Sequence, residues 1–448
     1  MVFFEFQESS RAQNDSPSLD LARNPPVFNI GPLIGQLTPQ SMNPATGTTG
    51  GPINPSAIIP SDTGLNNQGI PNPLPVNELL PISGSNILEI PSQKLWRLAF
   101  TFGVGVYFDD NLFITHLNRQ SDTVFTIDGG VALDLGDYVK QVDNYLSTNY
   151  LATGSLYARH SYENNVDQHF SLQGKYRLSS FTLNSTLIYD YLNGPDRLVN
   201  NGTFVSHQLI DGRFRLTYDL TPKTQIYGEF EDMTEVYKEY LDSFEYTGRF
   251  GIDYQLTGKI LVGVQGVIGK LEQEGGLSST YFQARLHAGY QLTEKLIFDA
   301  TVGGEYREYS SGGTPEVDPV FTLGLIYRPF IDTSFSLAAY RSEFASPLYQ
   351  GENFVGTGVS LTVSQKFFRR FKASLSLGYE HDNYTTTAAN TPSINREDDY
   401  VFFRPSLTYS FKSWLTASVY YQYSRDSSSQ SLSSYYDNRV GGQLSIFF

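Results

Sequence analysis

The triplet Asp109-Asp110-Asn111 is a dense run of oxygen-bearing side chains in this 448-residue chain. Hard oxygens of this kind suit calcium. Asp and Asn in such a run also end a strand by hydrogen-bonding their own backbone, and the turn is the preferred reading. The histidines, His116, His160, His169, His207, His287 and His381, lie mostly at segment ends or in polar stretches. No HExxH, GxSxG or GxxxxGK[ST] pattern occurs. GVQGVIGKLE (263–272) has the wrong spacing for a phosphate loop, lacks Ser or Thr after Lys270, and reads as a strand. Zero cysteine excludes disulfides, thiolate zinc sites and thiol nucleophiles. No catalytic residue, metal ligand or cofactor is assigned, and the chain is read as a non-enzyme.

The charges that do fall into a pattern are the ones on alternate positions. Arg213, Arg215, Arg249, Arg285, Arg307, Arg328 and Arg404 share the polar parity of their segments with Glu229, Asp253, Asp299, Glu305 and Glu380. Such groups either pair across strands, each pair contributing roughly 0.2–1 kcal/mol, or set a transverse field that sorts solutes by charge and size. Both signs are present, so this set predicts no ion selectivity.

Those parities require β-strands. In FTFGVGVYFDDNLF (100–113), Phe100, Phe102, Val104, Val106 and Phe108 alternate with Thr101, Gly103, Gly105, Tyr107 and Asp109. FTLNSTLIYDY (181–191), SFEYTGRFGIDYQL (243–256) and FKASLSLGYE (371–380) repeat the alternation. The segments run about 10–14 residues, long enough for a tilted membrane span and longer than strands of soluble sheets. YDLTPK, YQLTGK and YQLTEK begin at Tyr218, Tyr254 and Tyr290, spaced by 36 residues; YRPFID at Tyr327 and YSFKSW at Tyr409 continue the theme. Between these short turns lie long polar stretches, 192–203, 271–280 and 381–399, read as loops. Short turns on one side and long loops on the other are the asymmetry of outer-membrane barrels.

Composition agrees. Charged residues are 17% and aromatics 14%, mean hydropathy is negative, and no apolar run reaches the length of a membrane helix. The net charge of −15 argues against a nucleic-acid partner. Tyr218, Tyr254, Tyr290, Tyr327 and Tyr409 share the apolar parity close before short turns, as an interfacial aromatic girdle would. The chain ends in RVGGQLSIFF, with Val440, Leu444, Ile446 and Phe448 on that parity. This resembles the C-terminal signature that hands a strand to the barrel-assembly machinery, with Phe448 as the assembly signal.

The expected fold is all-β: a closed antiparallel transmembrane β-barrel over 97–448, with about 18 strands. The count falls to 16 if a weak pair around 143–175 has been miscounted. Residues 1–96 hold 14 of the 22 prolines and show no periodicity, so they are read as an unstructured periplasmic arm. MVFFEFQESSRAQ lacks a full secretory leader; it is either the tail of a longer signal or a leader with no targeting role.

GVGVYFDDNLF, followed by SDTVFTIDGGVAL (121–133), resembles the opening of the putative β-barrel porin 2 family, which has a Gly-rich strand, a YDDN-like turn and a Ser-Asp second strand. Asp109, Asp110 and Asn111 carry the motif; similarity is expected to be strongest over about 97–135, and the long arm departs from the family pattern. The resemblance implies a bacterial outer-membrane barrel in contact with lipid and lipopolysaccharide. It would pass hydrophilic solutes by passive diffusion. Some relatives lie in exopolysaccharide operons, so an export barrel with periplasmic partners, moving glycans over lumenal Tyr107, Tyr157, Tyr227 and Tyr340, is an alternative. A structural or adhesive barrel with ligand-binding loops is a second one.

Overall fold

In the computed structural model, the described residues are 96–137, 144–199, 202–293, 295–312, 315–386 and 395–448. The sequence reading of residues 1–95 lies outside them. Strands β1 to β6 are Trp96–Asp109, Asp122–Gly136, Tyr145–Tyr157, Asn165–Leu178, Phe181–Pro195 and Phe204–Thr221. β7 to β12 are Thr224–Tyr237, Ser243–Thr257, Ile260–Gln273, Leu277–Thr293, Leu296–Tyr309 and Glu316–Phe330. β13 to β18 are Thr333–Ala345, Glu352–Phe367, Phe371–Thr386, Arg396–Lys412, Leu415–Ser428 and Tyr435–Phe447.

Each strand pairs antiparallel with its chain neighbour, and β1 pairs with β18, so the 18-stranded sheet closes on itself. Closure matters because hydrocarbon offers no partner to an open edge of N–H and C=O groups. β3 and β4 occupy the stretch where a strand pair was in doubt, and 16 strands is excluded. Along β1 the odd–even rule holds throughout: Phe100, Phe102, Val104, Val106 and Phe108 are exposed outside, while Gly103 and Asp109 are buried inside.

The 36-residue repeat is a turn with built-in chemistry. After Tyr218, Tyr254, Tyr290, Tyr327 and Tyr409 the ladder shifts register, between Asp219/Thr221, Gln255/Thr257, Gln291/Thr293, Tyr327/Phe330 and Ser410/Lys412. Thr221 Oγ1 accepts hydrogen bonds from the Lys223 and Thr224 amides at 3.2 and 2.9 Å. Thr257 Oγ1 does the same for Lys259 and Ile260 at 3.2 and 3.1 Å. The threonine satisfies amides that the bulge takes out of the ladder.

At the opposite end the strands run further than their side-chain polarity suggests. Only residues 274–276 separate β9 from β10 within the stretch read as a loop over 271–280, and β15 and β16 extend far into 381–399. Above the apolar belt the side chains turn polar, as in the exposed Lys270–Glu272 pair, but the backbone ladder continues. Two hairpins then leave the wall. β12–β13 pairing ends at Phe321↔Arg341, while β13–β14 pairing continues to Ala345↔Asn353. Likewise β4–β5 pairing ends at Gln168↔Tyr191, while β5–β6 continues to Pro195↔Phe204. Residues 194–199 and 351–356 are buried on both faces, so these tips fold into the barrel.

The seam ends on the last residue. The Phe448 amide donates to the Phe100 carbonyl at 3.0 Å, and the Phe100 amide donates to the Phe448 carbonyl at 3.2 Å. Each such bond contributes about 0.5–1.5 kcal/mol. Deleting Phe448 is expected to lower the yield of heat-resistant barrel on detergent refolding, read as the band shift between unheated and boiled samples on a gel. An unchanged yield would remove Phe448 from the seam.

Candidate functional site

Strand parity puts charge inside. Arg215, Glu229, Arg249, Asp253, Arg285, Asp299, Glu305, Arg307, Glu380 and Arg404 are all buried in the barrel interior, and Arg213 and Arg328 are half-buried there. On β6–β8 they form one network. Arg249 bonds Glu229 at 2.6 Å and also Glu231. Arg213 bonds Asp211 at 2.7 Å and Glu231 at 2.5 Å. Arg215 lies 3.7 Å from both Glu229 and Asp253, its guanidinium 3.6 Å above the Tyr227 ring. His287 bridges Asp253 and Asp299 at 2.8 and 2.9 Å. A second group joins Arg307 to Glu305 at 2.8 Å and to Glu343 at 3.2 Å. Arg404 stacks 5.2 Å from the Tyr420 ring.

Sequence reasoning missed the partners. Glu231 and Asp211 sit on the same parity as residues it named, and that parity carried to the strand ends would have found them. Glu343 is different: it faces Arg307 only because its hairpin bends off the wall.

The bent tip of β5–β6 spans the bore. Arg197 donates to Asp382 at 2.8 Å and to Glu380, both on β15, and lies 4.8 Å from the Tyr400 ring on β16. By strand order β15 is on the far wall from β5 and β6. Leu198 packs into a cluster with Leu209, Met233, Ala338, Tyr340, Phe344, Phe354 and Tyr384 from both walls. Asp196 caps the tip, accepting from the Leu198 amide at 2.7 Å and from the Tyr237 hydroxyl at 3.2 Å. Burial lifts its pKa to about 6 against these hydrogen bonds. The β13–β14 tip adds Gln273 Nε2 donating to the Ser346 carbonyl at 2.7 Å and the Leu241 amide donating to the Pro347 carbonyl at 3.0 Å. Together the tips narrow the loop-side mouth around a small apolar core.

The triplet that opened the sequence is a turn, and its side chains are engaged. Asp109 Oδ1 accepts from the Asn111 amide at 2.8 Å, and Asn111 Nδ2 donates to the Thr115 and Tyr436 carbonyls at 3.0 and 2.8 Å. Asp110 pairs with Arg119 at 2.7 Å. Carboxylate oxygens of Asp109, Asp110 and Asp437 come within 4.8 Å of one another. Arg439 Nε already stands 2.9 Å from Asp109 and 2.8 Å from Asp437, which places a guanidinium among the acids. Of the tyrosines considered for sugar stacking, Tyr227 is covered by Arg215, and Tyr340 donates to Glu380 at 2.5 Å. Tyr107 and Tyr157 lie beside the cluster of Leu112, Phe113 and Val124.

Outside, Tyr218, Tyr254, Tyr290, Tyr327 and Tyr409 each face away from the interior, three residues before the end of their strands. Tyr218 packs on Phe181 and Tyr409 on Phe371, each at 4.7 Å between ring centroids. A second set lies nearer the loops. Tyr150, Tyr189, Tyr379 and Tyr421 donate to Gln168, Gln208, Asp399 and Asn438 on the next strand, and Tyr306 to Glu308 on its own. Every one of these acceptors is closer to the loop side than its tyrosine. Tyr189 and Tyr379 lie eight residues beyond Phe181 and Phe371 in their strands. At about 3.3 Å per residue and the usual 35–45° tilt, that is about 20 Å along the barrel axis. Between the two rings the outward residues are mostly apolar, with Ser185 an exception, and many are exposed, as are Phe250 and Leu286 at 65% and 62%. A patch of that extent fits lipid and not water.

A family model for putative beta-barrel porin 2 matches residues 206–446, more than half of the chain. That span excludes the motif at 109–111, so the match is carried by the later strands and not, as expected from the sequence, by 97–135. No curated protein matches the sequence. Among solved structures, OccAB3 of Acinetobacter baumannii is similar at 12% identity and TM-score 0.40, covering 79% of this chain and 99% of that one. OpdK of Pseudomonas aeruginosa is similar at 11% identity and TM-score 0.39, covering 79% and 98%. The FrpB iron transporter of Neisseria meningitidis (F3-3 variant) is similar at 10% identity and TM-score 0.40, covering 75% of this chain; the chain spans 62% of that one's length. With its lipid-facing belt and polar interior, this is a porin-like barrel of the outer membrane, and the chain belongs to the putative β-barrel porin 2 family.

Proposed function

We propose that the protein lets small hydrophilic solutes diffuse passively across the outer membrane through its charged interior. The inward-bent tips of β5–β6 and β13–β14 then set the size limit. The observation that carries this is the division of side chains by the wall: apolar outside, and inside an array of carboxylates, guanidiniums, hydroxyls and amides. No covalent step and no cofactor enter the mechanism. In this reading lipid and lipopolysaccharide cover the belt, residues 1–96 hang on the periplasmic side with the short turns, and the assembly machinery reads the last strand. Tyr227 and Tyr340 are engaged with charges, and Tyr107 and Tyr157 pack beside an apolar cluster, which favours solute diffusion over glycan export.

Planar-bilayer recording of the refolded full chain, and of a variant lacking residues 1–95, is expected to show discrete conductance steps in at least one of them. Silence in both would overturn the transport reading and leave the structural or adhesive alternative.

A further inference from the structure

We infer that the loop-side half of the lumen is a cation filter, with Asp426, flanked by Tyr400 and Tyr435, as a buried source of the field that attracts the passing cation. The inference rests on the transport reading and names its substrate class: metal cations and protonated amines in preference to anions.

The first observation is a charge imbalance. Among the described residues, the buried ones include twenty acids, counting Asp and Glu together, against eight arginines and three histidines. The set read from the sequence, with both signs present, predicts no ion selectivity because it samples mid-strand positions, where arginines concentrate. The excess lies toward the loops, in an arc over β15 to β1: Glu380, Asp382, Asp398, Asp426, Asp437 and Asp109. Three guanidiniums serve these six. Arg197 holds Glu380 and Asp382, Arg396 pairs with Asp398 at 2.5 Å, and Arg439 is shared by Asp109 and Asp437, while Arg197 and Arg396 also act on Asp426 through space without hydrogen-bonding it. Asp382 and Asp398 are direct cross-strand partners, an arrangement of like charges that opposes folding.

The second observation concerns Asp426 itself. It is 1% exposed, and no protein group donates a hydrogen bond to either of its carboxylate oxygens. In the ladders Asp426 stands directly opposite Tyr400 on one side and Tyr435 on the other. The Tyr435 hydroxyl likewise has no protein hydrogen-bond partner. A carboxylate that no protein group hydrogen-bonds is held inside a barrel at a cost, and its charge adds to the negative potential of the arc. A ring of acidic side chains selects cations by the same electrostatics in other pores.

The test is the reversal potential of the conducting protein in a potassium chloride gradient. A potassium over chloride permeability ratio of about 10 or more is expected, falling by about threefold or more in Asp426→Asn, with no loss of thermal stability. A ratio of 1 or below in the parent protein overturns the inference while leaving the transport reading intact. So does an Asp426→Asn protein with an unchanged ratio. If Asp426→Asn unfolds, the carboxylate is structural, and the inference also falls. Absence of any conductance would instead defeat the transport reading beneath it.

Discussion

Arg197→Ala is expected to raise single-channel conductance several-fold and to make residues 196–199 of the β5–β6 tip accessible to protease. Arg197 is the group that ties the β5–β6 tip to the far wall, through Asp382 at 2.8 Å and through Glu380. Its removal leaves two carboxylates on β15 without a counter-charge, and breaking a buried pair from one side costs about 3–5 kcal/mol. The wall cannot relieve that cost, because Glu380 and Asp382 are fixed by the ladders to β14 and β16. The tip can, by swinging out and letting water reach the acids. Leu198 would leave its apolar cluster at the same time, a loss of about 1.5–3 kcal/mol that works against the swing. The carboxylate term is the larger, so opening wins. Asp196→Asn at the base of the same tip keeps the latch and serves as the comparison. If Arg197→Ala leaves conductance and protection unchanged, the tip is held by its apolar contacts and the latch is decoration.

A second large effect separates neighbouring residues. Leu286→Arg and His287→Arg are one position apart on β10 and should behave in opposite ways. Leu286 is exposed on the outside, four residues from Tyr290 and four from Phe282, which pairs with Tyr306, so it sits midway between the two tyrosine rings. Arginine at the bilayer midplane costs about 2–4 kcal/mol. His287 lies inside between Asp253 and Asp299, where a guanidinium would find both carboxylates waiting. Denaturant unfolding in lipid vesicles should therefore show Leu286→Arg strongly destabilised and His287→Arg near the parent. Equal losses would mean that the outside of β10 is not in contact with hydrocarbon.

Much of the barrel could be read from local pattern because its wall is built from local pairings. Alternation along FTFGVGVYFDD fixes which side of β1 meets lipid, and the Tyr-x-Leu-Thr turns mark where strands reverse. Each hairpin contacts its neighbours in chain order, so counting segments from Leu98 gives about 18 strands. The candidate site is legible by half. Arg213, Arg249 and Asp253 follow from parity alone. Arg197, Asp426 and Glu343 do not, for different reasons. Arg197 meets Glu380 across 183 residues of chain, a contact no periodicity encodes. Glu343 is brought to Arg307 by a hairpin that leaves the wall. Asp426 lies near a strand end, where a polar side chain reads as the start of a loop. The tyrosines that bond Gln168, Gln208 and Asp399 were also overlooked, because their signal is a phenol with an acceptor one strand over rather than a repeat along the chain.

The pairing of β1 with β18 imposes an order of events on biogenesis. Every other neighbour pair is a short-range zipper, whereas this one joins the two ends of the 96–448 segment. By the logarithmic cost of closing a loop, bringing those ends together takes about 4 kcal/mol more than closing a tight hairpin. Until that moment a growing sheet shows two bare rims, each ready to recruit another chain. A ribosome must therefore finish the last 13-residue strand before any copy can seal. Messages cut short anywhere upstream would yield only sticky, open sheets for periplasmic quality control to clear.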